Sequence, residues 1–341
     1  MGTYQVVVTD YDYQNLDIER KIMAEYGIEF IPAQCRTEEE VIRAARKADG
    51  ILNQYAPITA NVIEQLENCK VIARYGVGVN TIDVEAATKK GIVVSNVTDY
   101  CLDEVSDHAL ALLLALARKI VVLNQSVKNG KWAVKEASPI FRLKGRVLGL
   151  VGFGNIPQTL AKKAKALGLQ VMAYDPFVPA AVAADLGVAL VCLEELLQKS
   201  DFVSVHLPLN RETKGIISRK EFELMKKEAF MINTARGPVI DESALIQALE
   251  EKQIAGAALD VVEKEPIAPE SPLLNMEEVI LTPHAAWYSE ESERELKRKS
   301  AQNIVDVLNG YYPDYMVNPS VKSKLRLSEK GKEGMKNGSH I

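Results

Sequence analysis

Four histidines occur in the sequence, His108, His206, His284 and His340. Imidazole is the side chain best suited to moving a proton near neutral pH. His284 stands in LTPHAAW, directly after a strand-like run, and His206 ends another such run in VHLPL. His108 lies inside an apolar helical stretch and reads as structural, whereas His340 falls in a polar tail. A lone histidine after a strand more often packs than catalyses, but His284 has companions. Arg236 lies in NTARGPVID and Glu265 in ALDVVEKEP, each shortly after a strand-like run. A carboxylate stabilises a protonated imidazole, and the imidazole can then pass a proton to or from a hydroxyl. An arginine grips a carboxylate with two parallel N–H bonds and polarises a neighbouring carbonyl. Together the three are a working set for 2-hydroxy acid chemistry.

A second group of residues is suited to phosphate. In RVLGLVGFGNIPQ a buried strand runs into Gly152-Phe153-Gly154-Asn155-Ile156-Pro157, and a helix follows. Gly152 permits a tight turn, and Gly154 lets a pyrophosphate approach bare backbone at the positive end of the helix. The next strand ends in Asp175, 21 residues after Gly154, where an acid accepts hydrogen bonds from ribose hydroxyls. Pro157 stands where Gly or Ala is usual, and proline is tolerated in a first helical turn. Asp175 is followed by Pro-Phe-Val, with no cation to receive a 2′-phosphate, which favours NAD over NADP.

The elements that must carry these residues follow a βα rhythm. Short apolar runs at 5–9, 50–53, 71–73 and 92–94 alternate with helical segments at 16–26, 38–48, 59–67 and 83–90. The rhythm restarts at 146–151 and continues through 169–174, 202–206, 230–233, 255–260 and 279–282. This predicts parallel sheets covered by helices on both faces. Leu102–Val121 reads as one helix, apolar nearly all round, which implies burial on more than one side. A last helix near 288–308 is expected to pack back on the first domain. The tail at 321–341 is polar and basic and is expected to be disordered.

Composition narrows the function classes. The 341 residues are 47% hydrophobic and 26% charged, with a formal net charge of −5. A mildly acidic chain lacks the bulk positive charge that nucleic acids or anionic membranes attract. No apolar run approaches a membrane span. Four scattered cysteines without a C-x-x-C fit a reducing compartment and give no metal site, so a cytoplasmic protein is expected.

Over about Tyr4–Asn318 the sequence resembles the D-isomer-specific 2-hydroxyacid dehydrogenases. The resemblance is carried by ARYGVGVNTID from Ala73, GFGNI, AYDP, VHLPL, MINTARGPVIDESAL, GAALDVVEKEP and LTPHAAWYSEES. It implies an α/β fold of two Rossmann-like and flavodoxin-like domains. An NAD-binding domain at 100–288 would be inserted into a discontinuous substrate domain at 1–99 and 289–320. It implies Arg236, Glu265 and His284 as the catalytic trio. Val77 and Gly78 would contact substrate and cofactor through their backbone, and Trp287 would wall the substrate pocket. NAD would lie against Gly152, Gly154, Asn155, Ile156, Asp175, His206, Leu207, Pro208, Thr234, Ala235 and Asp260, the last at the nicotinamide carboxamide. The substrate would be a small 2-oxo or 2-hydroxy acid, and the helix around 102–121 would form a homodimer interface. Besides Pro157, the sequence departs from the family at Thr98 in NVTDY, where N-x-P is usual. The PHAAWYSEES segment is most similar to the C-terminal binding protein branch. That likeness keeps an alternative open, an NAD(H)-gated dimeric scaffold or corepressor. Phosphoglycerate dehydrogenase is a further possibility within the enzyme class.

Overall fold

The computed structural model describes residues 3–330, which form two compact units. One holds the chain up to Tyr100 and again from Ser289; the other is Cys101–Tyr288. In the first unit the order is β1 (Gln5–Val8), α1 (Asp17–Glu25), β2 (Glu29–Pro32), α2 (Glu38–Ala45), β3 (Gly50–Asn53), α3 (Ala60–Gln65), β4 (Val71–Arg74), α4 (Val84–Lys90) and β5 (Val93–Ser95). All pairings are parallel and the sheet order is β2-β1-β3-β4-β5, that of flavodoxin-like folds. The inner strands are apolar on both faces because helices cover both. Val7, Ile51, Ile72 and Val94 face α2, α3 and α4. Short side chains cap these helices: Thr37 and Glu40 form a capping box on α2, and Asp83 caps α4. β2 was not foreseen. Its four residues end in Pro32 at the sheet edge, where a missing N–H costs no ladder bond.

The second unit runs α5 (Leu102–Arg118), α6 (Ile120–Lys128), β6 (Val147–Val151), α7 (Asn155–Ala166), β7 (Gln170–Tyr174), α8 (Ala180–Asp185), β8 (Ala189–Leu190), α9 (Leu193–Lys199), β9 (Phe202–Val205), α10 (Arg219–Leu224), β10 (Phe230–Asn233), α11 (Glu242–Glu250), β11 (Gly256–Leu259) and β12 (Val279–Leu281). Its seven parallel strands are ordered β12-β11-β10-β9-β6-β7-β8. That is the doubly wound dinucleotide-binding order with one strand added, and its switch point lies between β6 and β9. Alternate strand residues feed two cores. Leu148, Leu150 and Ile232 meet α5 and α7, whereas Val151, Val203 and Met231 meet α9, α10 and α11.

Leu102–Val121 is not one helix. Lys119 takes a left-handed φ of 54°, and α5 and α6 meet at a 60° bend. The apolar girth of α5 is accounted for inside its own unit, where Ala109, Leu112, Leu113 and Leu116 are buried against β6, α7 and β10. No single helix among the described residues is long and apolar enough to cross a membrane.

The chain returns to the first unit as α12 (Glu290–Leu308), which packs on α1, β3 and β4. Gly50 makes room for it: a Cβ there would lie 3.1 Å from the Ile304 side chain. The expected disorder from residue 321 is corrected for 321–330. Val321 is fully buried, Ser328 exchanges backbone bonds with Gly310 and Tyr312, and Lys330 pairs with Asp306 and Asp314. Backbone pairing and these ions outweigh the polar composition that predicted solvation. Residues 331–341, with His340, lie outside the described residues.

Candidate active site

β10, β11 and β12 are neighbours in the sheet, and their C-terminal ends carry Arg236, Glu265 and His284 respectively. Parallel pairing brings these three loops to one end of the sheet, although 48 residues separate the first from the last. Glu265 Oε2 lies 2.7 Å from His284 Nδ1. A carboxylate only accepts, so Nδ1 carries the hydrogen and Nε2 is the nitrogen left for chemistry. Burial alone would raise the Glu265 carboxyl. The His284 hydrogen bond and charge, the Val262 N–H and the charge of Arg236 outweigh it and hold the group below the ordinary carboxylate range.

Arg236 is positioned by its own turn. Asn233, at the end of β10, accepts from Ala235 N at 3.0 Å and donates to Arg236 O at 3.0 Å. Gly237 follows because nothing larger fits: a Cβ would lie 1.8 Å from Val262 O. The Arg236 turn is thereby pressed against the segment that leads to Glu265.

His284 has a left-handed backbone, φ 53°. For a non-glycine residue that costs about 1–3 kcal/mol and persists only when the surroundings impose it. Asp260 supplies the imposition. Its carbonyl accepts from His284 N at 2.8 Å. Its carboxylate accepts from Ala285 N at 2.9 Å, Ala286 N at 3.0 Å and Thr282 Oγ1 at 2.6 Å. Trp287 follows, half-buried, with its ring edge-to-face on Tyr288.

The second cluster lies at the switch point. β6 leads into Gly152, which must be glycine because its φ is 98° and a Cβ there would lie 3.0 Å from His206 backbone atoms. A Cβ on Gly154 would meet nothing within 4 Å, so this face of the turn is open to a ligand. Gly154 offers no side chain to cap α7, and the N–H groups of Asn155 and Ile156 have no acceptor within the helix. Pro157 is buried at the third helical position, where it removes one donor and leaves α7 intact. Asp175 accepts from Phe153 N at 2.8 Å, so the acid also braces the glycine turn. Its other oxygen accepts from Phe177 N and Val178 N. Thr234 Oγ1 is buried and finds no partner among the described residues. An open backbone cradle, an acid beside it and an orphaned hydroxyl fit a dinucleotide.

Comparison with known proteins agrees. The profile described as D-isomer specific 2-hydroxyacid dehydrogenase, NAD binding domain, matches residues 110–286. The chain belongs to the D-isomer-specific 2-hydroxyacid dehydrogenase family. It is 40% identical over 302 residues to a D-3-phosphoglycerate dehydrogenase of Archaeoglobus fulgidus, covering 88% of this chain and 57% of that protein. It is 39% identical to a glyoxylate reductase of Korarchaeum cryptofilum, covering 84% of this chain and 87% of that protein. The fold matches a D-lactate dehydrogenase from Aquifex aeolicus, solved with NAD and lactic acid, at a TM-score of 0.80 and 26% identity. That match covers 89% of this chain and 96% of the other. The chain thus spans little more than half the length of the D-3-phosphoglycerate dehydrogenases it matches.

Within this dehydrogenase framework the remaining expected residues divide. Leu207 is buried beside Gly152, Pro208 is exposed, and Ala235 is half-buried ahead of Arg236. The His206 imidazole bonds Ser204 Oγ at 2.8 Å, and loss of water holds it down at about 3. It is therefore neutral, and what it presents to the glycine turn is backbone. Val77 and Gly78 belong to the other unit, where Val77 O accepts from Asn96 Nδ2 at 2.7 Å. Gly237 and Thr282 were missed, although Gly237 lies inside the motif that singled out Arg236.

Proposed function

We propose that the protein is an NAD-dependent oxidoreductase interconverting a D-2-hydroxy acid and a 2-oxo acid. The reading rests above all on the His284–Glu265 pair, held at 2.7 Å at the strand end next to Arg236. NAD, when bound, supplies or takes up the hydride. Gly152, Gly154, Asn155 and Ile156 would hold its pyrophosphate, Asp175 and Thr234 its ribose hydroxyls, and Leu207, Pro208 and Ala235 would border it. His284 Nε2 gives a proton to the carbonyl oxygen during reduction and takes it back during oxidation. Glu265 orients the imidazole and offsets its charge. Arg236 binds the substrate carboxylate and polarises the carbonyl, whose oxygen gains negative charge in the transition state. Val77 and Gly78 would contribute backbone contacts, and Trp287 a wall that sets side-chain size.

The reading extends to a cytoplasmic homodimer. Its support is an exposed apolar run at Ile120, Val121, Val127, Trp132, Val134 and Phe141, with Trp132 90% exposed. This run lies on α6 and beyond it, not on α5. None of the four cysteines is in a disulfide.

The test is NADH oxidation against glyoxylate, pyruvate, hydroxypyruvate, phenylpyruvate and phosphohydroxypyruvate, with Arg236→Lys in parallel. Turnover of at least one acid is expected. Arg236→Lys should lower kcat/KM roughly 10²–10³-fold, because an ammonium cannot fork across two oxygens, with NADH affinity unchanged. A folded wild type that binds NADH but reduces none of these acids would favour a dinucleotide-gated scaffold instead.

A further inference from the structure

We propose that His108 is a positioning residue for the His284 imidazole, acting through Thr282 and Asp260. The inference rests on the dehydrogenase reading above only for what His284 does, not for how it is held.

The chain of contacts is continuous within one unit. His108, on α5, places Nε2 3.0 Å from Thr282 Oγ1, and Thr282 Oγ1 lies 2.6 Å from Asp260 Oδ1. The hydroxyl has one hydrogen and the carboxylate can only accept, so Thr282 donates to Asp260. The Thr282 oxygen is then an acceptor, and His108 must carry its hydrogen on Nε2. That fixes the tautomer and gives the side chain a direction, from α5 toward β12. Asp260 is 2% exposed, and its carboxylate meets the Ala285 and Ala286 amides that follow His284.

These contacts bear on a residue whose backbone does not hold itself. His284 takes φ 53°, and its N–H is bonded to Asp260 O. Thr282 and Ala285 flank the turn on either side, and both are tied to the same Asp260 oxygen. Without the Thr282 hydroxyl that oxygen loses its shortest bond. Without His108 the hydroxyl loses the donor that fixes its orientation. His108 Nε2 also stands 3.5 Å from Asp260 Oδ1. Through these contacts α5 aligns the imidazole with Glu265.

The experiment uses Thr282→Val, which keeps shape and removes the hydroxyl, and His108→Ala. Thr282→Ser and His108→Gln are the conservative partners that retain a hydroxyl and an N–H. In the holoenzyme with its best 2-oxo acid, Thr282→Val and His108→Ala should each lower kcat about tenfold. KM should hold, the conservative partners should restore turnover, and the double variant should lose no more than the worse single one. Amide exchange in the NAD complex should quicken at Ala285 and Ala286 and stay unchanged in β6 and β9. Wild-type kcat in both variants, additive losses, or a fall in melting temperature that tracks the lost activity would overturn the proposal. So would unaltered exchange at Ala285 and Ala286, a readout that needs no turnover and separates this failure from failure of the dehydrogenase reading.

Discussion

Gly237 lies so close to Val262 that a Cβ on it would sit 1.8 Å from the Val262 carbonyl oxygen and 2.6 Å from Glu263 N. Both neighbours are backbone, so a methyl group cannot be accommodated by a side-chain rotation. The contact joins the Arg236 turn to the segment that carries Glu265. Gly237→Ala should separate these turns, costing roughly 1–3 kcal/mol of stability. A displacement of about 1 Å at a reacting group can cost on the order of 10² in rate. Denaturant titration alongside kcat/KM checks both effects. Wild-type kcat/KM in the alanine variant would mean that the contact does not set the site.

Glu265→Gln removes the charge that faces His284 Nδ1 at 2.7 Å and keeps the shape. The His284 charge helps hold the Glu265 carboxyl low, and the interaction is mutual: ionised Glu265 favours protonated imidazole. Reduction of a 2-oxo acid needs that protonated form. The alkaline limb of its pH profile should therefore move to lower pH in the variant. Oxidation of the hydroxy acid, which needs the neutral form, should extend to lower pH. Profiles of kcat/KM in the two directions check this, and superimposable wild-type and variant profiles would remove Glu265 from its role.

How legible the molecule is in its sequence depends on what carries each feature. Strands such as Phe230–Asn233 are apolar runs bounded by polar turns, and the run itself marks them. The short edge strands β2 and β8 are set by pairing with β1 and β7, which no local pattern records. The break at Lys119 has no proline or glycine to announce it. That Arg236, Glu265 and His284 lie at one end of the sheet was legible because each follows a strand, and parallel order brings strand ends together. Asp260 shows the limit. It was expected to meet the nicotinamide, and the structure adds four contacts to the His284 turn, three of them to its carboxylate. Such a convergence of residues 260, 282, 285 and 286 exists only in three dimensions.

Asp175 both braces the glycine turn through Phe153 N and offers charge to a ribose. The two contributions can be separated. Asp175→Asn keeps only one of the two acceptor oxygens and removes the charge that repels a 2′-phosphate, so the preference for NADH over NADPH should narrow. Asp175→Ala also leaves Phe153, Phe177 and Val178 amides without their acceptor, and should cost about 1–2 kcal/mol of stability in addition. Cofactor kcat/KM ratios and urea midpoints for both variants measure this. An unaltered ratio in Asp175→Asn would place the cofactor discrimination elsewhere.

At the opposite end of the sheet, Asp201 holds β6 and β9 in register with a charge. It is nearly buried and accepts from Val147 N at 2.8 Å, Arg146 Nη1 at 2.9 Å and Lys226 Nζ at 3.0 Å. Burial alone would raise its carboxyl. The Val147 amide and the two cations outweigh burial and hold it below the ordinary carboxylate value. A group depressed on folding binds fewer protons in the native state, so its contribution is present above the unfolded value, about 3.9. It is lost as the pH falls through the lower folded value. Asp201→Asn should thus destabilise the protein by roughly 1–3 kcal/mol at pH 7, since one acceptor oxygen and the whole charge disappear from a satisfied cluster. The gap between variant and wild type should close as the pH drops below about 4, the range in which the wild-type carboxylate itself takes up a proton. Urea titrations at pH 7, 5 and 3 measure the gap. A difference that stays constant across that range would show that Asp201 acts through shape, not charge.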